Sequence, residues 1–137
     1  MNPEEFFKTA EKLKDSDKES DLRTSIGRSY YAVFLYLREY LFKLGIVSKR
    51  KKGIHFFVQA CLSNSRVKEA QTLSTELHEL EQKRTKADYK LNAKITPKEA
   101  VDTLRDAQEA VGKFSSSMTL DKENILVVNA KQFARYN

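Results

Sequence analysis

Apolar positions in this chain recur every three or four residues almost from end to end, the spacing of helices that each turn one face inward. Asn2 before Pro3, followed by Glu4 and Glu5, makes a helix start, because proline is pre-set for a first turn and carboxylates favour its positive end. Phe6, Phe7, Ala10 and Leu13 form one stripe of this first helix, and Asp15-Ser16-Asp17 breaks it. A second helix is predicted to begin between Ser20 and Arg23 and to run to about Leu44, with Gly45 as its cap. Ile26, Tyr30, Phe34, Leu37 and Leu41 are its core stripe. At ~1.5 Å per residue it is the longest strut of the fold.

Residues 48–53 read as a basic loop, and residues 54–62 as a short apolar helix closed by Ser63-Asn64-Ser65. A fourth helix runs from about Val67 through Leu73, Leu77 and Leu80 toward Ala87. After a connector over residues 91–95, Thr96, Pro97 and Glu99 form a capping box with proline at the first position. The fifth helix buries Ala100, Leu104, Ala107 and Val111 and ends near Phe114, at Ser115-Ser116-Ser117. Residues 125–128, Ile-Leu-Val-Val, are a β-branched run without a hairpin partner, expected to be an extended arm, a dimer-completing segment or a disordered one. The pattern predicts an all-α, up-and-down bundle of four to five helices over residues 1–116, followed by an extended arm or flexible tail over 117–137.

A chain of 137 residues is expected to form one domain with a real core. No run of about 18 apolar residues exists, which argues against a membrane-spanning helix. The acidic first residues lack the apolar core of a secretory signal, and Cys61 is the single cysteine, so a reducing, cytoplasmic setting is expected. The net charge of +6 is unevenly placed. Residues 1–22 carry seven acids against four lysines, whereas residues 23–52 carry eight Lys or Arg against Glu39. Such a patch suits phosphates or an acidic partner, or is a solvated basic face.

Several chemistries lack their residues. The four glycines are scattered, with no phosphate-binding loop. His55 and His78 are not spaced as metal ligands, and His78-Glu79 lacks the second histidine of a zinc protease, so neither metal nor cofactor is expected. What remains is a polar set on two helices. Arg84 and Asp88 stand four apart and can pair on one face, while Arg28 and Tyr31 project from one side of the second helix. The set is either a staple between antiparallel helices or a functional network. Lys49, Arg50, Lys51 and Lys52 precede His55, Phe56 and Phe57, which suits single-stranded RNA held by charge and stacking. The two phenylalanines also fit as the buried face of an apolar helix.

The runs Gly-Arg-Ser-Tyr-Tyr-Ala-Val-Phe and Leu-Glu-Gln-Lys-Arg-Thr-Lys-Ala-Asp-Tyr, followed by Ile-Thr-Pro-Lys-Glu-Ala, resemble the HEPN domain, and more narrowly its short stand-alone members, over residues from about 3 to 115. The resemblance implies a helical bundle that forms a homodimer. Many members are metal-independent ribonucleases working in a cleft between protomers, in toxin–antitoxin or defence settings. Others partner a minimal nucleotidyltransferase. The ribonuclease signature is an arginine followed by four to six residues and a histidine. Arg84 matches the arginine, and Tyr89 stands where a histidine is expected. The resemblance carries phosphate binding over to Arg84 but not the acid/base role. Together with the charge pattern, the candidate phosphate or RNA contacts are Arg28, Tyr31, Lys49, Arg50, Lys51, Lys52, Arg84 and Lys86, the candidate catalytic positions are Arg84 and Tyr89, and Asp88 is a candidate for a structural network. Tyrosine, with a pKa of about 10, needs a large downward shift to act as a base. The implied function is RNA or nucleotide binding with weak or degenerate ribonuclease activity. The alternative is a non-catalytic, substrate-presenting subunit for a nucleotidyltransferase, and an antitoxin protein is a further implied partner.

Overall fold

The computed structural model describes residues 2–48 and 53–136, and among these every regular element is a helix. They are α1 (Glu4–Leu13), α2 (Glu19–Lys43), α3 (Ile54–Ser63), α4 (Lys68–Tyr89), α5 (Pro97–Ser117) and α6 (Leu120–Tyr136). The helical-bundle expectation holds, with six helices in place of four to five.

α2 is the central strut, packed against α1, α4 and α5. Cross-helix pairs give the directions. Ala10 meets Ser25 and Phe6 meets Arg28, so α1 and α2 are antiparallel. Arg23 reaches Ala87 and Arg84 reaches Tyr30, so α4 also opposes α2. Tyr40 packs on Phe114 while Ile26 shares a buried cluster with Ala100, so α5 runs parallel to α2. The main core joins Phe7, Tyr30, Phe34, Leu37, Leu41, Leu73, Leu77, Leu104 and Phe114.

The helix ends follow local chemistry. α2 stops in a Schellman turn: Gly45 takes φ +81°, its N–H bonds the Phe42 carbonyl at 2.9 Å, and the Ile46 N–H bonds that of Leu41 at 2.9 Å. At α5, Thr96 Oγ1 accepts from the Glu99 N–H at 3.2 Å and Glu99 Oε2 accepts from the Thr96 N–H at 3.4 Å, the expected capping box. α4 ends on a guanidinium. Arg23 donates to the carbonyls of Ala87 (2.8 Å), Lys90 (3.2 Å) and Ala93, and to Glu19 Oε1 at 3.1 Å. One side chain thus reaches a terminal carbonyl of α4 and two carbonyls of the loop that follows, while backbone N–H groups of Leu91 and Ala93 bond those of Tyr89 and Lys90.

The extended arm expected over the last twenty residues is a helix. Thr119 caps α6, its Oγ1 accepting from the Lys122 N–H at 3.3 Å, and Asp121 and Glu123 occupy the first turn. Leu126 and Ala130 are fully buried and Phe133 lies over Phe57, a stripe at four- and three-residue steps that docks α6 on α3. Tyr40 donates to Glu123, and Lys122 pairs with Glu69. Burial of one face overrides the strand preference of the β-branched run, leaving Ile125 and Val128 on the exposed side.

Candidate functional site

Arg84 occupies α4 one turn before its end, where α4 crosses α2. Its Nε donates to Asp88 Oδ2 at 3.0 Å across one helical turn, and its side chain is 20% exposed. The guanidinium carbon lies 5.3 Å from the Tyr31 ring centroid, 5.8 Å from Tyr30 and 5.9 Å from Tyr89. An arginine among three aromatic rings gains cation–π attraction and a fixed plane. Among the described residues no hydrogen bond uses its two terminal nitrogens.

Asp88 lies beside the α2 backbone at Gly27, where an added Cβ would sit 3.8 Å from Asp88 Oδ1, an ordinary van der Waals contact. Tyr31 is half-buried beside Arg84, Tyr30 is wholly buried beneath it, and Tyr89 closes α4 with 67% of its surface exposed. The network expected of Arg84, Asp88 and Tyr31 is thus assembled by α2 and α4.

A residue that the sequence reading placed beside the basic loop, and not with Arg84, completes the cluster. His55, on the first turn of α3, makes a 2.6 Å hydrogen bond between Nδ1 and the Tyr30 hydroxyl, and its ring stacks on Phe34 at 4.0 Å with an 8° interplanar angle. It also lies 6.0 Å from the Tyr31 ring. Burial lowers its pKa from the ordinary histidine value; Glu81 opposes the shift, and Arg84 and Arg38 reinforce it. Burial likewise pushes the Tyr30 phenol well above the usual tyrosine range. The sequence did hold a signal. His55 and Gln59 are polar residues four apart on an otherwise apolar helix, and Gln59 donates to Glu81 at 2.7 Å.

The structure separates other candidates from this cluster. Arg28 lies over the Phe6 ring of α1 at 5.2 Å. Lys86, 200° around α4 from Arg84 at about 100° per residue, pairs with Glu99 of α5 at 3.2 Å. It lines a separate cavity of about 200 Å³ with Ile26, Lys83 and Asp102. Phe56 and Phe57 part company: Phe57 is buried against Phe133, whereas Phe56 is 70% exposed. His78 is exposed on α4. Lys49, Arg50, Lys51 and Lys52 lie outside the described residues. Among the described residues no three His, Cys, Asp or Glu side chains gather as a metal site, and no helix is long and apolar enough to cross a membrane.

A family model described as HEPN domain matches residues 2–116. No curated protein and no solved structure matches the chain.

Proposed function

The chain belongs to the HEPN domain family, a nucleotide- and RNA-related, ribonuclease-like family, and from that premise we propose that its Arg84 cleft binds single-stranded RNA through the phosphate backbone. One observation carries this reading: a guanidinium aimed by Asp88 and held among three tyrosine rings, with both terminal nitrogens unused among the described residues. A planar fork with two free donor positions suits a phosphodiester, which it contacts bidentately. Exposed Tyr89 offers a ring for a base to stack upon, and exposed Phe56 stands beside His55 on α3. The sequence adds four consecutive basic residues at 49–52, charge of the sign that favours a phosphate backbone. In this reading the protein works in the cytoplasm as a homodimer that brings two such clefts together, in a toxin–antitoxin or defence setting.

Cleavage is the weaker part of the activity. Attack of a 2′-hydroxyl on its own phosphorus requires a base for that proton and a donor for the departing 5′ oxygen. Tyr89 occupies the position where the family's ribonucleases carry histidine, and a phenol is less suited than an imidazole to exchanging protons at neutral pH.

Arg84→Ala tests the reading. Binding of a fluorescein-labelled oligouridylate is expected to weaken by roughly ten- to a hundred-fold. The melting temperature should move by only a few degrees, because the Arg84–Asp88 pair is partly exposed. Native binding should also fall steeply as salt rises from about 50 to about 200 mM. Unchanged affinity in the variant, or salt-independent binding by the native chain, would defeat it.

The exposure of Tyr89 favours a second reading, in which the same rim presents the protein to a nucleotidyltransferase as a non-catalytic subunit. Its test is a neighbouring gene that encodes a short protein with a Gly-Ser and paired-aspartate signature, co-purifying with this chain.

A further inference from the structure

Tyr30 is wholly buried, and among the described residues its hydroxyl makes one hydrogen bond, the 2.6 Å contact with His55 Nδ1. A buried phenol with no second acceptor donates through that contact, which leaves Nδ1 as the acceptor. Neutral imidazole carries one ring proton, so the proton resides on Nε2. Adding a second proton would set an N–H against an O–H, donor facing donor, at the site where Tyr30 has no alternative. The geometry therefore disfavours the imidazolium, in the same direction as burial and the nearby positive charges. The Phe34 stack at 4.0 Å holds the ring plane.

His55 and Arg84 share a frame. The imidazole centroid lies 5.9 Å from the Tyr30 ring and 6.0 Å from Tyr31; the guanidinium carbon lies 5.8 and 5.3 Å from the same two rings. We propose that His55 is the second phosphate ligand of the Arg84 cleft, a neutral imidazole donating its Nε2–H to a phosphodiester oxygen while Arg84 supplies the charge. This rests on the reading of the cleft as an RNA site and specifies how that site holds the backbone. It also explains why the cleft binds better than it cuts. An Nε2 that already carries the proton cannot accept another from a 2′-hydroxyl, and Tyr30 opposes the tautomer that would free it.

Among the described residues, the charged and titratable groups around the ring are Tyr30, Tyr31 and Arg38 from α2, and Glu81 and Arg84 from α4. α6 meets α3 through the Phe57–Phe133 contact.

Two measurements on the full chain decide the matter. Nitrogen NMR of the histidine side chains, between about pH 8 and pH 5, is expected to show His55 neutral and protonated at Nε2, with no charging near its ordinary pKa of about 6.5. An Nδ1–H tautomer, or charging at or above that pH, overturns the proposal with no variant needed. The second measurement compares oligouridylate binding by the native chain, Arg84→Ala and His55→Asn. Asparagine keeps an acceptor near the Nδ1 position for Tyr30 and removes the Nε2 donor. Binding by His55→Asn should be roughly ten-fold weaker, as for one lost hydrogen bond to a charged group. If Arg84→Ala binds like the native chain, the RNA reading itself fails. If Arg84→Ala loses binding and His55→Asn retains it, His55 alone is dismissed.

Discussion

His55 is held by a buried phenol on one edge and a phenylalanine on one face, and this makes it a source of acid sensitivity for the whole fold. Its pKa in the folded protein lies below the ordinary value, chiefly through burial. As pH falls through about 6.5, the unfolded chain takes up a proton that the folded chain refuses, so the folded state loses stability. Above that pH both states are neutral at this residue and its contribution is complete. Melting temperatures measured from about pH 8 down to pH 5 should therefore drop for the native protein, and drop less for His55→Asn, which has nothing to titrate there. Exposed His78 is common to both proteins and cancels in the comparison. Parallel curves would show that this imidazole charges freely in the fold. The residue also shows what a sequence hides: its four-residue spacing from Gln59 marks a polar face on α3, but does not name Tyr30 as the partner, which lies 25 positions away on another helix.

At the scale of elements, α2 and α4 are registered by Arg23. Its side chain is only 15% exposed, and it bridges three terminal carbonyls of α4 and its following loop to Glu19, which in turn accepts from the Ile95 N–H at 2.9 Å. Removing it leaves the part-buried carbonyls of Ala87 and Ala93 without partners among the described residues, whereas Lys90 keeps the Ala93 N–H and Glu19 keeps the Ile95 N–H. Arg23→Ala should cost about 3 kcal/mol, seen as a lower urea midpoint at unchanged slope, and Arg23→Lys should recover only part. A loss below about 0.5 kcal/mol would reduce Arg23 to a surface ornament. This clamp sets the end of α4, the turn that carries Arg84, Asp88 and Tyr89. Helix starts and stops governed by neighbours in sequence, such as the Thr96 box and the Gly45 turn, were legible in advance. Arg23 was not, because its carbonyl acceptors lie 63 to 70 residues away.

Across the whole molecule, the same distinction explains what could be read. The amphipathic stripes of α1, α2, α4 and α5 are periodic, so the bundle and the Arg84–Asp88 pair follow from pattern, with Tyr31 a conditional neighbour across the helices. The rest of the cluster depends on how α3 crosses α2, and no local spacing encodes a crossing. α6 escaped for a different reason. Its β-branched run reads as extended chain, and only the surface offered by α3 makes a helix with Leu126 and Ala130 inward the better solution. That claim is testable through Cys61, which is wholly buried on α3 with its thiol pKa pushed up to about 12 by burial. Such a thiol reacts only when the structure opens, so its labelling rate reports opening. Leu126→Ala should remove about 2–4 kcal/mol by opening a cavity in the core. Cys61 labelling should then accelerate by at least ten-fold, about 1.4 kcal/mol being one factor of ten in an opening constant. Ile125→Ala, on the exposed side of the same helix, should leave both stability and labelling nearly unchanged. Equal behaviour of the two variants would mean that α6 does not dock as a helix with one buried face. Faster labelling in Leu126→Ala, without a shift in the urea midpoint, would mean that α6 and α3 part from the bundle as a separate unit.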